Sequence, residues 1–260
     1  MRTFLLCAVL ALWSLPAWSQ DAGRPTSAHL LCNNFPPQKI ENPAEGLDGF
    51  DVDILRVVFA RAGIEVKIDY YPWARALALA GRGEADGLCS CSYLPEREEA
   101  FYFSIPMGEV AIGIFSLAGD PAPARRLEDL RGRSVAVVQQ YALRDVLARL
   151  GIESEAVINE TQAMIMLQNG RVRHFFTYRD PVLYLVQRSS LFPVPQFAET
   201  SVSPYYACFA KRSRRGEALW RIFNQGLAEI QRTRADRGLR NLYFDPAMIE
   251  RGAQALPSRP

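Results

Sequence analysis

Cysteine and serine alternate in one short stretch of this chain, at Cys89-Ser90-Cys91-Ser92. Of the five cysteines, Cys7 lies in an N-terminal apolar run. The others, Cys32, Cys89, Cys91 and Cys208, are even in number, as disulfides in an oxidising compartment require. Four cysteines permit three pairings, and Cys89 and Cys91 would share a face of any strand holding both, so connectivity stays open. Small buried thiols are the alternative. A thiolate nucleophile needs a base nearby, and the only histidines, His29 and His174, lie far apart and lack metal-ligand spacing. There is no G-x-S-x-G elbow and no phosphate loop, and Gly81-Arg82-Gly83 lacks the third glycine of a dinucleotide fingerprint. These residue types predict binding rather than catalysis, with no cofactor and no metal.

The elements that must position such a site alternate between strand and helix from Leu30 onward, the pattern of an α/β fold with mostly parallel strands. Val52, Leu55, Val58, Phe59 and Ala62 have helical spacing and Gly63 suits the C-terminal cap. Ile64, Val66, Ile68 and Tyr70 then alternate with charged residues as in a half-buried strand. Pro72 starts a helix with Ala76, Leu77 and Ala80 inward, ended by Gly81. Strands are expected over 85–92 and 110–117. After the break at Ala118-Gly119-Asp120-Pro121-Ala122-Pro123 come a strand over 134–138, helices around 143–150 and 163–167, and a strand over 172–178. Past Pro193 and Pro195 a strand is expected over 205–210, then a long amphipathic helix through Leu219, Phe223, Leu227 and Ile230.

Arg2, the apolar run Phe4 to Leu15 and the small residues of Ala17-Trp18-Ser19 predict a secretory signal cleaved after Ser19, which makes Gln20 the mature N-terminus. The run is shorter than the roughly 20 residues that span a bilayer. The protein is therefore expected in the periplasm. Thirty Lys and Arg against 28 Asp and Glu, interspersed, leave a net charge of +2 and no basic stripe for nucleic acid. Lysine occurs only at Lys39, Lys67 and Lys211, which reads as codon bias rather than binding chemistry.

Four stretches follow one another in order: Gly49-Phe50-Asp51-Val52-Asp53; Pro72-Trp73-Ala74-Arg75-Ala76-Leu77 with Gly83-Glu84-Ala85-Asp86-Gly87; Pro95-Glu96-Arg97 with Phe103-Ser104-Ile105-Pro106; and Leu127 to Val135. The ordered set resembles the extracellular solute-binding proteins of the polar amino-acid type, family 3. The resemblance implies an α/β type II periplasmic-binding-protein fold, two lobes joined by a two-segment hinge near Ala118 and Thr200. Signal peptide 1–19 would precede lobe one, formed by 20–118 and 200–250. Lobe two would be 119–199, and 251–260 a C-terminal tail.

The resemblance also implies a cleft. A carboxylate calls for a planar, always charged donor fork, which the family places at Arg97. A surface ion pair with Glu96 or Glu98 is the competing fate of that side chain. Ser90 and Ser92 would donate to the same ligand, and Phe35 and Trp73 would wall it. In lobe two, Gln140 and Tyr141 stand where relatives have a Gly-Thr or Gly-Ser turn, Tyr178 stands at the acid that grips an ammonium, and Asp180 is the nearest carboxylate. Asp180 is also expected as a helix N-cap before Pro181. Asp51 and Asp53 are expected to start a helix rather than to touch ligand.

The expected function is capture of an amino acid or related carboxylate, by a monomer, for an ABC transporter permease or a membrane sensor. A cyclohexadienyl dehydratase-like enzyme is the alternative, short of a proton donor beyond Asp180 or Glu109. A sugar-like or peptide ligand held by Gln140, Tyr141 and Tyr178 is a third.

Overall fold

A computed structural model describes residues 24–43, 46–139, 141–189 and 191–243. The export signal, the cleavage site after Ser19, Gln140 and the tail 251–260 lie outside the described residues.

The chain opens with strand β1 (Ser27–Cys32), helix α1 (Phe50–Arg61), β2 (Glu65–Tyr70), α2 (Trp73–Gly81) and β3 (Gly87–Ser92). α1 buries Val52, Leu55, Val58 and Phe59 at the expected spacing and ends before Gly63, whose φ of 73° reverses the chain toward β2. β4 (Phe101–Phe103) and β5 (Gly108–Ser116) follow, then β6 (Val135–Val138), α3 (Ala142–Arg149), β7 (Glu155–Val157), α4 (Glu160–Gln168), β8 (His174–Tyr178) and α5 (Arg179–Arg188). β9 (Gln196–Ala210), α6 (Gly216–Arg232) and α7 (Ala235–Asn241) complete the order.

Eight strands form one path, β2-β1-β3-β9-β5-β8-β6-β7, and β4 adds to β9. β1 runs parallel to β2 and β3, and β6 parallel to β7 and β8. Every pairing of β5 and β9 is antiparallel, however, so the expectation of a mostly parallel sheet fails at its middle. The reason is topological: β5 carries the chain into the second half of the sheet and β9 brings it back alongside.

Two α/β lobes result. Lobe one holds β1 to β4 with α1, α2, α6 and α7, and so draws on both ends of the chain; lobe two holds β6 to β8 with α3 to α5. Phe50, Phe59, Phe209 and Phe223 pack lobe one between α1, α6 and the sheet, while Phe115, Phe175, Phe197 and Met164 pack lobe two. Ala118 lies just past the end of β5. Thr200 lies inside β9 at a bulge: Ile112 pairs with Ser201 and Gly113 with Glu199, which leaves Thr200 unpaired in the ladder, its hydroxyl donating to the Ile112 carbonyl at 3.2 Å.

Two disulfides tie β3 to both its neighbours, Cys32–Cys89 to β1 and Cys91–Cys208 to β9, with Cα separations of 5.2 and 6.2 Å. Cys89 and Cys91 do not share a face. The β3–β9 register slips between Leu88 and Cys91, so Cys89 packs with Cys32 on the α1 side and Cys91 with Cys208 on the α2 side.

Candidate functional site

The lobe-one wall begins with a tight turn in which the amide and carbonyl of Phe35 bond those of Lys39, at 2.8 and 2.9 Å. Gly49, with φ 106°, holds the turn against α1: a Cβ there would overlap the Gln38 carbonyl, which instead accepts the Asp51 amide at 3.0 Å. The opening of the GFDVD stretch is thereby explained, and its acids stand in the first turn of α1 as expected, though not as caps. Neither Asp51 nor Asp53 caps α1, whose N-cap is Gly49. Asp51 is wholly buried and accepts a hydrogen bond from the Tyr205 hydroxyl at 2.9 Å, and Asp53 accepts one from Tyr243.

Phe35, Gln38, Lys39 and Asp51 line a cavity of about 560 Å³, its open mouth included, whose other walls include Trp73, Ser90, Ser92, Arg97, Tyr141 and Tyr178. Lys39 is 5% exposed. Its Nζ donates to Ser90 Oγ at 3.0 Å and lies 5.1 Å from the Phe35 ring centre. Burial pulls its pKa down to about 8, although the Asp51 carboxylate opposes the shift.

Arg97 sits in the 3-10 turn Pro95–Arg97 that follows β3. Its guanidinium lies 5.2 Å from the Trp73 ring centre and donates from Nη1 to the Ser92 carbonyl at 2.8 Å. No carboxylate of the described residues lies within ion-pair distance, so the surface pair with Glu96 or Glu98 does not form; Glu98 accepts instead from Tyr93. Burial lowers the pKa of Arg97 without discharging it.

Lobe two presents rings. Tyr141 and Tyr178 approach each other and Phe35 edge-on, with centres 5.2 to 6.1 Å apart, a three-ring contact that crosses the cleft. The Tyr141 hydroxyl donates to Glu160 at 2.8 Å; burial raises the pKa of both groups. The Tyr178 hydroxyl adjoins Ser92, and burial raises its pKa too. Asp180 is not the N-cap of α5. That position is Tyr178, and Asp180 sits in the first turn, outside the cavity lining, accepting from Arg179 at 2.9 Å and from Gln38 at 3.4 Å. Of the residues expected at the site, the cavity thus gathers Phe35, Trp73, Ser90, Ser92, Arg97, Tyr141 and Tyr178.

Residues 30–246 match the family model of the bacterial extracellular solute-binding proteins, family 3. The chain belongs to that family. Among curated proteins none matches it. Solved structures similar to this family-3 protein include a histidine kinase sensor domain with similarity to periplasmic binding proteins, at TM-score 0.74 and 24% identity over 85% of this chain and 97% of that one. Another is the GluR0 ligand-binding core from Nostoc punctiforme in complex with L-glutamate, at 0.72 and 20% over 84% and 100%. A third is an ancestral amino-acid-binding protein described as a precursor of cyclohexadienyl dehydratase, at 0.71 and 15% over 85% and 96%. The fold is that of the type II periplasmic binding proteins. No helix of the described residues is long and apolar enough to cross a membrane.

Sequence reasoning missed Lys39, Gln38, Asp51 and Tyr205. A lysine kept among so many arginines was the one available signal for Lys39. Nothing local marks the others, because Tyr205 reaches Asp51 across 154 residues of chain.

Proposed function

We propose that this solute-binding protein captures a small carboxylate, an amino acid or a relative of one, between its lobes in the periplasm and hands it to an ABC importer. The observation that carries the reading is Arg97: laid on Trp73 at the cavity wall, with one N–H bonded to Ser92 and no ion-pair partner among the described residues, it presents the rest of its fork to the cleft. Ser90 and Ser92 add hydroxyls beside it. Phe35, Tyr141 and Tyr178 close over the ligand's apolar part. The lobes move by bending along β5 and β9, with the bulge at Thr200 as the softest point. Family membership supports a solute-binding role, and the neighbours that bind amino acids support a carboxylate.

A thermal-shift screen of amino acids, opines, dicarboxylates and small cations tests this, since a ligand at a hundred times its Kd adds about 2.7 kcal/mol. At least one carboxylate is expected to raise Tm, and Arg97→Ala to abolish the response. A response untouched by Arg97→Ala removes the reading. Fractionation should recover the mature chain in the periplasm with Gln20 first.

An enzymatic reading rests on Tyr141 and Glu160. A buried carboxyl with a raised pKa behind a cleft hydroxyl can pass a proton, and the third neighbour above precedes a dehydratase. Incubation with prephenate is expected to yield no phenylpyruvate; turnover would replace binding by catalysis.

A further inference from the structure

The charges lining the cavity do not balance. Lys39 and Arg97 bring two cations, whereas Asp51 is the one carboxylate among the described residues of the lining. Asp51 already accepts from Tyr205, and its charge acts on Lys39. No described acid lies within ion-pair distance of the Lys39 ammonium, which is buried with Ser90 and the Phe35 ring as its neighbours. A desolvated ammonium in such a place favours an anion beside it.

The acids of lobe two are engaged elsewhere. Glu160 accepts from Tyr141 at 2.8 Å, and Asp180 from Arg179 at 2.9 Å. An ammonium on the ligand would therefore enter a cavity that already holds a surplus cation. The Lys39 ammonium is bonded to the Ser90 hydroxyl and the Arg97 guanidinium to the Ser92 carbonyl, so both cations are anchored on the same three residues of β3.

We propose that the ligand is a small dicarboxylate without an amino group, one carboxylate on Arg97 and the other on Lys39 and Ser90. The assignment rests on the reading of Arg97 given above. Two cations anchored on one short stretch of strand suit a short dicarboxylate.

Titration calorimetry of the mature protein with succinate, glutarate, adipate, butyrate and L-glutamate tests it. One dicarboxylate is expected to bind at least about tenfold tighter than butyrate, and L-glutamate to bind more weakly than glutarate. Lys39→Met should bring the ratio of dicarboxylate to butyrate affinity to near one. Lys39→Gln, which keeps a donor for Ser90, should do the same and guards against a folding defect in the first variant. A dicarboxylate preference that survives both variants, or L-glutamate binding more tightly than glutarate, overturns the proposal while leaving Arg97 as an anchor. Loss of butyrate and dicarboxylate binding alike in Arg97→Ala, with no dicarboxylate preference in the parent, also overturns it and spares the carboxylate reading. No heat from any carboxylate overturns both.

Discussion

The two walls of the cleft are built from different materials. Lobe one brings the charges, Lys39, Asp51 and Arg97, all within reach of a strand that disulfides fasten to both neighbours. Lobe two brings Tyr141 and Tyr178, whose hydroxyls already bond Glu160 and adjoin Ser92. Charge recognition needs donors fixed before the ligand arrives, because rearranging buried ionic groups costs more than rearranging rings. On the proposed reading, the rigid wall selects the ligand and the aromatic wall seals it.

The largest effect should come from unfastening the rigid wall. The bridges close loops of 57 and 117 residues, worth about 4 and about 5 kcal/mol by chain entropy. Cys32→Ser with Cys89→Ser, followed by denaturant unfolding, is expected to lose roughly the first of these along with carboxylate affinity. Full affinity in the reduced protein would mean that β3 needs no fastening. Next, Arg97→Ala is expected to cost about 2–5 kcal/mol of binding, and Arg97→Lys to restore little, because an ammonium cannot reproduce the fork. Rescue by lysine would reduce the site to point charges.

On the aromatic wall, Tyr141→Phe takes the donor from Glu160 and should cost about 1–3 kcal/mol of stability, measured by thermal unfolding, with a smaller loss of affinity. A larger affinity loss than for Arg97→Ala would reverse the division of labour. The most gradual effect is the pH dependence of Lys39, whose pKa falls from 10.5 to about 8 on burial. Between those values the unfolded chain binds more protons than the folded one, so this group makes apo stability rise with pH. Anion affinity should move oppositely, falling by up to about tenfold per unit above pH 8 as the ammonium deprotonates. Lys39→Gln should flatten both curves, read by calorimetry and unfolding across the range.

Periodicity made α1, α2, α3, α6 and β2 legible, because each shows one apolar face to a core. β4 and β7 have three residues each, too few for a period to register. The first part of β9, residues 196–204, was hidden by Pro204 and by the polar residues Glu199, Thr200, Ser201 and Ser203. Pro204 is tolerated because β9 meets β3 only from Tyr205 onward, so the amide it lacks is not needed by that ladder. At the site, Arg97, its serines and the rings were readable through family motifs. Lys39 was not, since its role comes from a turn pressed onto α1 at Gly49. The faces of Cys89 and Cys91 were misjudged because a register slip is invisible to a rule of alternation.

On the proposed lobe motion, the bulge at Thr200 is the place where the molecule would flex. β5 and β9 are hydrogen-bonded from residue 108 to 116 and from 196 to 205, so the connection is a two-ply leaf spring rather than a pair of pivots. A spring resists in proportion to its deflection and returns when released. If the lobes close on a ligand as proposed, that ligand must supply the elastic work of its own capture. Stiffening the bulge would then weaken every ligand by the same elastic term and leave the difference between two ligands unchanged.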